Sequence, residues 1–407
     1  MSKNVLLVTT NYWPEPTGIA IYTTDLARNL KTYGFQVSVV TSLPHYPWWR
    51  VPDEFAEITE GKSFLSGVEI FRARHWVPQT MNALKRIRFE FSLWWNLRRI
   101  SKIFLLNDFD IVIAVIPTVA SGIIGKSIAK RLGIPFGLIV QDLSGAGAKQ
   151  SGLRGGAVIS KIAHLVEGKV LHGAAALVVV SPAMRDAVAA LGIPAKRITQ
   201  ITNYSARAIA NVEKNSARTK FGWATNDFIV VHTGNMGAKQ DLGNVVRAAE
   251  ALDSDSKIKI YLVGHGNQET NLKALCADKS NIAVLRAVSD ADYSAMLSAA
   301  DLLLVNERST QMEMSLPSKL TSYLYSNRPV IAAVPRGGAT WKFLDGVAEL
   351  VEAGDSKALA LKIEELSRNR NRLNELAQLG SEFAVKNLDP AVGRGKYLEW
   401  VGRLLEK

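Results

Sequence analysis

A single cysteine, Cys276, in 407 residues excludes a disulfide framework and a cysteine-built zinc site. It lies in NLKALCADK, a helical pattern in which it reads as a packing residue. Long apolar runs are missing too. The longest, Ile111 to Gly125, is broken by Pro117 and stops at Lys126, short of the ~18–20 residues that a membrane span requires. The opening MSKNVLLVTTNYWPEP passes from a short apolar strand straight into a Pro-rich loop, without the architecture of a signal peptide. The expectation is a chain of a reducing compartment, soluble or peripheral to a membrane. His45, His75, His164, His172, His232 and His265 show no metal-ligand spacing. Asp108-Phe109-Asp110 has the form of a DxD, yet Asp110 directly precedes a strand, where a polar residue simply ends a loop. Neither a GxSxG elbow nor a GxxxxGK[ST] loop occurs. No metal is expected.

What is present is enough apolar material for sizeable cores: 47% hydrophobic against 21% charged, ordinary for a globular protein and inconsistent with disorder. At roughly 100–200 residues per domain, the length predicts two or three domains. The net charge of +12 is unevenly spread. Lys and Arg outnumber Asp and Glu by 23 to 13 up to Asn203, and by only 26 to 24 beyond it. A basic half beside a near-neutral one points to an anionic partner: nucleic acid, anionic lipid or a phosphorylated substrate. Nucleic acid is disfavoured, because no recognition motif is present and the strands of that half carry no stacking aromatics. A solvated basic surface is the alternative that needs no partner.

Short runs of Val, Ile and Leu alternate with helical patterns throughout, the signature of parallel sheets buried on both faces. Strands are expected at Asn4–Thr9, Gln36–Thr41, Ile111–Ile116, Phe136–Gln141 and Leu177–Ser181. The layout repeats at Phe228–Thr233, Lys259–Val263, Ile282–Leu285, Leu302–Asn306 and Val330–Val334. The fold class is therefore α/β, with two doubly wound, Rossmann-like domains and a linker near Asn203–Ala217. A short amphipathic helix from Pro390 to Lys407 carries Tyr397, Trp400, Val401, Leu404 and Leu405 on one side. Open parallel sheets bind ligands outside the carboxyl ends of their strands. Two such domains facing each other would turn their strand-end loops into one cleft.

Four of those loops are candidates for chemistry. After the first strand, Pro14 and Pro16 stiffen NYWPEPTGIA, and Gly18 sits where a helix begins, so the backbone can approach a bound group. A tight turn without a ligand is the plainer reading. In HTGNMGAKQDL, Gly234 and Gly237 flank a loop, and Lys239 lies near the start of the next helix. Backbone N–H groups, the helix dipole and an ammonium together suit a diphosphate there, against a surface lysine after a glycine turn. In LVGHGNQE, Gly264 and Gly266 begin a GxGxxG pattern, but Glu269 stands at the third glycine's place, so the pair alone means a tight strand-to-helix turn. In NERSTQMEMSLPSKLTSYL, Pro317 and Ser318 open a helix with Ser318 and Lys319 at its positive end. Two anion-friendly helix starts in one domain point to a nucleotide diphosphate.

The stretch RFEFSLWWNLRRISKIF has two faces at helical spacing. Phe89, Leu93, Leu97, Ile100 and Phe104 should pack on the sheet. Arg88, Phe91, Trp95, Arg98, Arg99 and Lys102 form the other side, a basic face interleaved with aromatics of the kind that lies on anionic lipid. The alternative is that Phe91 and Trp95 pack under a neighbouring loop and the arginines are merely solvated.

In order, spacing and strand-end position, PEPTGIAIYT, VVTSLPHYPWWRV, the VQD at Val140–Asp142, GNMGAKQDL, LPSKLTSYL and NRPVIA resemble the GT-B glycosyltransferases of family 4. Within them, they look like the colanic acid or exopolysaccharide subgroup. The resemblance covers nearly the whole chain. It implies an acceptor-binding domain over 1–203, a nucleotide-sugar-binding domain over 204–385, and a final helix, 386–407, that crosses back to the first. It also implies a retaining transfer with no metal and no cofactor beyond the substrate, a GDP- or UDP-linked sugar. The acceptor would be a lipid-linked saccharide, at the cytoplasmic face of an anionic membrane. Gly18 matches the family's first-loop glycine near the donor diphosphate. Lys239, in the loop with Gly234, Asn235 and Gly237, matches the lysine that stabilises the departing diphosphate. Gly264 and Gly266 match the base-side loop, and Ser318, Lys319 and Leu320 the donor-side helix start. His45, Tyr46, Gln141 and Asp142 fall on the acceptor side. Asp142, in the subgroup's QD, is expected to orient the acceptor hydroxyl or take its proton.

The chain also departs from the pattern. Asn235 replaces the family's phosphate arginine. Met314 and Ser322 stand where the Glu-x7-Glu pair would be, with Glu307 and Glu313 nearby but off the spacing. Those losses leave room for two alternatives, a non-catalytic nucleotide-sugar-binding subunit and a nucleotide-sugar epimerase of the same fold.

Overall fold

The computed structural model describes residues 2–16, 18–57, 60–79, 82–104, 108–143, 156–204, 209–253, 256–310 and 316–407, without the side chains of 60, 83, 101–103, 156–163 and 290. The apolar runs form strands as their composition dictates. Ile111–Ile116, for example, is buried at every residue, so neither face can meet water. Contacts divide the chain into two compact units, Met1–Thr202 with Ala391–Lys407, and Asn203–Pro390.

The first unit holds β1 (Asn4–Val8), β2 (Gln36–Ser42), β3 (Glu60–Leu65), β4 (Val68–Ala73), β5 (Ile111–Ile116), β6 (Phe136–Val140), β7 (Ala176–Val179) and β8 (Ile198–Gln200). Their order is β3-β4-β2-β1-β5-β6-β7-β8. All pairings are parallel except that of β3 with β4. The chain builds outward from β1 in one direction and then restarts at β5 in the other, so the sheet's switch point lies between β1 and β5. Asp110 ties the amino ends of that pair together, accepting from Lys3 Nζ and the Asn4 amide at 2.7 Å each. This is the strand-start role expected of the DxD.

The second unit holds β9 (Phe228–Asn235), β10 (Ile258–His265), β11 (Ile282–Arg286), β12 (Leu302–Asn306), β13 (Val330–Val334) and β14 (Glu349–Glu352), all parallel, in the order β11-β10-β9-β12-β13-β14. Its switch point lies between β9 and β12. Four strands go beyond the sequence expectation: β3, β4, β8 and β14. They are edge or near-edge strands, short or polar on one side, and lack the continuous apolar run that marks the interior ones.

The last helix, Pro390–Leu405, packs on the first unit's sheet through Tyr397, Trp400, Val401 and Leu404. Gly137 in β6 makes room for it. A Cβ there would come within 2.6 Å of Leu404 Cδ2 and 2.7 Å of Trp400 Cη2. Arg394 adds a two-pronged ion pair to Asp25 at 2.6 and 3.0 Å. The helix Ala83–Phe104 buries the five apolar residues expected of it, Phe89, Leu93, Leu97, Ile100 and Phe104. No described helix is long and apolar enough to cross a membrane.

Candidate functional site

In the first unit, the loop after β1 is fastened at the β1/β5 switch point. Thr10 Oγ1 bonds to Thr118 Oγ1 and, at 2.9 Å, to Ser121 Oγ, joining the two strand ends through buried hydroxyls. Glu15 is the second fastening. One carboxylate oxygen accepts from the His45 and Tyr46 amides at 2.8 and 2.9 Å, and the other from Asn11 Nδ2 at 2.8 Å. The loops after β1 and β2 thus share one buried carboxyl, 4% exposed. Burial pushes its pKa up to about 7 against the pull of those amides, Asn11 and Arg72. Burial also pulls His45 down to about 4, so the contact of His45 Nδ1 with Glu15, at 3.4 Å, is not an ion pair near neutral pH.

The expected acceptor residues divide by exposure. His45 is buried, its ring 4.6 Å from that of His75 and 5.4 Å from Phe89. Tyr46 is half-buried and lies against Gly18, whose φ of 65° at the start of the helix Ile19–Thr32 suits glycine. Gln141 is buried and continues the pairing of β6 through its amide to Ile116 O. Asp142 is exposed at that strand's end, one oxygen accepting from the Leu143 amide at 2.9 Å. The glycine-rich segment after Asp142, residues 144–152, which a plainer reading would have Asp142 cap, lies outside the described residues.

The second unit gathers its expected residues at the β9/β12 switch point. β12 pairs with β9 only at Leu302↔Val230 and Leu303↔Val231, whereas β9 stays paired with β10 to the end, His265↔Asn235. Beyond Val231 the carboxyl ends of β9 and β12 therefore part. The helix Lys319–Tyr325 fills the gap with two side chains one turn apart. Tyr323 Oη accepts from the Thr233 amide at 2.7 Å, and Lys319 Nζ meets His232 Nε2 at 3.0 Å. His232 Nδ1 lies 3.1 Å from the Leu304 carbonyl.

The glycines have a backbone reason. A Cβ on Gly264 (φ 154°) would sit 1.9 Å from the Gly234 carbonyl oxygen, and one on Gly266 (φ 158°) 2.5 Å from that of Met236. The two loops pack main chain on main chain, which only glycine allows. The loop with Lys239 is pinned from β12. Asn306 Nδ2 donates to the Gln240 and Asp241 carbonyls at 2.8 and 3.0 Å, and the Arg308 amide donates to the Lys239 carbonyl at 2.9 Å. Asn235, Lys239 and Ser318 are exposed, and Gly237 is half-buried.

Some expectations change. Lys319 does not stand out from its helix start. It turns inward to His232, and that helix is only seven residues long, with no side-chain cap from Ser318. The helix after Lys239, Leu242–Ala251, begins behind Asp241, a left-handed residue (φ 41°) whose carboxylate makes no cap bond. Leu320 lies in the core and Ser322 is buried, so whatever Leu320 contributes passes through its backbone. Met314 and Glu313 lie outside the described residues. Glu307 accepts from Thr340 Oγ1 at 2.8 Å. Two residues went unnoticed in the sequence as site residues. Glu15 lay in a proline loop without periodicity, whereas His232 gave a signal, a polar side chain inside the apolar run FIVVHT.

On the helix Ala83–Phe104, Phe91 is 59% and Trp95 52% exposed, so among the described residues no loop covers them. Leu84 and Ile87 extend the same exposed stripe towards the amino end, at 73% and 44%. Arg88, Arg98 and Arg99 flank it, Arg88 over the Trp76 ring and Arg98 over Trp94. The Lys102 side chain lies outside the described residues.

A family described as "Glycosyl transferase 4-like domain" matches residues 17–204, and one described as "Glycosyl transferases group 1" matches 213–383. The chain is 27% identical over 402 residues to the colanic acid biosynthesis glycosyl transferase WcaI of Escherichia coli (strain K12), covering 95% of this chain and 96% of that one. In fold it is similar to sucrose-phosphate synthase from Thermosynechococcus elongatus, with a TM-score of 0.75 at 15% identity over all of both chains. It is also similar to Anabaena HepE in complex with UDP-glucose, with a TM-score of 0.68 at 14% identity over 98% of this chain and 99% of that one.

Proposed function

Because the chain belongs to the GT-B glycosyltransferases of family 4 type, we propose that it transfers a sugar from a nucleotide diphosphate sugar to a saccharide acceptor in the biosynthesis of a surface polysaccharide. Family membership supports the transferase reading over the subunit and epimerase readings. The observation that carries the donor assignment is the parting of β9 and β12 at the second unit's switch point, with Lys319 inside it and Lys239 on the loop above. The bound UDP-glucose of the HepE structure is consistent with such a donor. The base, UDP or GDP, is left to experiment.

In this reading the second unit holds the donor and the first unit the acceptor. The acceptor hydroxyl attacks the anomeric carbon as its bond to the diphosphate oxygen breaks, with retention of configuration. The lysines stabilise the charge that grows on the departing diphosphate without a metal requirement. Asp142 orients the hydroxyl, and the proton passes to Asp142 or to the departing phosphate. A panel of UDP- and GDP-sugars tests the proposal. One of them should release nucleoside diphosphate and free sugar slowly on its own, and faster with acceptor. Inversion at C2 of the sugar, or binding without turnover, would refute it.

The acceptor is proposed to be lipid-linked, with the enzyme on the cytoplasmic side of an anionic membrane. The support is the stripe Leu84, Ile87, Phe91 and Trp95 bordered by Arg88, Arg98 and Arg99. Flotation with anionic vesicles should carry the wild type and leave behind a variant with Trp95→Ala, Arg98→Gln and Arg99→Gln. Equal flotation of both would remove the helix as the anchor.

A further inference from the structure

We propose that His232 is a positioning residue for Lys319, and that the pair supplies the second cationic contact to the donor's diphosphate, alongside Lys239. The proposal rests on the second unit being the donor site and adds to it a residue that neither motif nor resemblance singled out.

The reason begins in the sheet. Because β12 leaves β9 after Val231, the Leu304 carbonyl has no ladder partner on β9, and the His232 side chain takes it through Nδ1–H at 3.1 Å. A ring that donates at Nδ1 and stays neutral presents a lone pair at Nε2. His232 is fully buried, and burial together with the neighbouring Lys319 holds its pKa well below the usual value, so it stays neutral. Nε2 therefore accepts from Lys319 Nζ, at 3.0 Å.

An acceptor is not a counter-charge. Among the described residues Lys319 forms no ion pair, and holding a half-buried lysine's ammonium away from water without one is costly. Burial accordingly pulls its pKa down to about 7, against the opposite pull of Glu307, whose carboxylate is engaged by Thr340. Among the described residues, the groups that act on this ammonium are His232 from β9 and Glu307 just past β12, while the Tyr323 hydroxyl, one turn along the same helix, is engaged by Thr233. The Tyr293 hydroxyl stands behind Thr233. None is an anion held at bonding distance.

The ammonium is placed to find its anion outside. It lies 3.5 Å from where a Cβ of Gly234 would stand, and Gly234 is exposed at the end of β9. Phosphate arriving at that strand end would meet Lys319 from below and the loop of Lys239 from above. This is the support that Lys239 lacks where Asn235 replaces an arginine. A phosphate oxygen would complete the pair and hold Lys319 in its charged form.

Calorimetric titration with UDP-glucose, GDP-mannose and inorganic pyrophosphate, from pH 6 to 8.5, tests this on the full chain. A nucleotide sugar keeps its two phosphate charges over that range, so a change in affinity reports the protein. Wild-type affinity should rise as pH falls through about 7. Lys319→Met should lose about ten- to a hundredfold and show a flat profile. His232→Leu should weaken binding and move the inflection to lower pH, while His232→Gln, which restores an acceptor, should recover most of the affinity. A purely structural histidine would lower the melting temperature without moving the inflection. Should His232→Leu not fold, Lys319→Met and His232→Gln decide. Unchanged affinity and profile in Lys319→Met or His232→Leu overturns the proposal alone. If no nucleotide sugar binds the wild type, the donor site itself is misassigned and the proposal falls with it.

Discussion

Replacing Glu15 by Gln probes the carboxyl that joins the loops after β1 and β2. The substitution keeps an oxygen for the His45 and Tyr46 amides, and Asn11 can turn its own amide to face the new one. What it removes is the ionisation. In the fold the carboxyl titrates at about 7 instead of 4.5, because burial disfavours its charge. Between those values the folded state binds more protons than the unfolded one, so stability falls as pH rises. At roughly 1.4 kcal/mol per pKa unit, the loss between pH 4 and pH 8 is on the order of 3 kcal/mol. Urea denaturation of both proteins at pH steps from 4 to 8 isolates this group, since other titrations cancel in the difference. The wild type should match the variant at pH 4, fall behind it by about that amount through pH 5 to 7, and level off above. A difference that stays flat with pH would refute a buried, proton-holding Glu15.

Lys239→Ala should reduce turnover about a hundredfold or more while leaving the melting temperature nearly unchanged, because the side chain is exposed and the substitution keeps the carbonyl that accepts from the Arg308 amide; a near-wild-type rate would remove it from the chemistry. Asp142→Asn should leave donor affinity intact and slow transfer by about a hundredfold, and a collapse of donor binding in calorimetry would mean that the two substrates have been assigned to the wrong units. Gly137→Ala should destabilise by about 1–3 kcal/mol, read from thermal or urea unfolding, since the added methyl meets the rigid Trp400 ring under the last helix.

The interior of each sheet was legible because strands buried on both faces must be apolar throughout, and their runs stand out from any helix. The edges were not. β3 and β4 meet at Ser66-Gly67, in left-handed conformations, and Phe64 of β3 points outward, 66% exposed, so the pattern alternates and fades. The buried face of the helix Ala83–Phe104 was readable residue by residue from its spacing. Leu84 and Ile87 escaped because the helix begins before the first aromatic. The loops were recognisable from glycine, proline and lysine, but what those residues touch was not. Lys319 looked like a helix-start cation, and only the parting of β9 from β12 turns it towards His232, 87 positions earlier. Gly264 and Gly266 looked like half of a dinucleotide fingerprint, whereas their need for glycine comes from the main chain of the neighbouring loop. Long-range backbone geometry leaves no local pattern to read.

Amide hydrogen exchange with and without a saturating nucleoside diphosphate, UDP and GDP in turn, tests most directly that the donor binds at the parted ends of β9 and β12. The account predicts slowed exchange in three segments that are far apart in sequence, 232–240, 263–268 and 316–324, with the strands at the amino ends of the same sheet unchanged. Slowed exchange confined to the first unit, or none in these three segments under saturation, would contradict it.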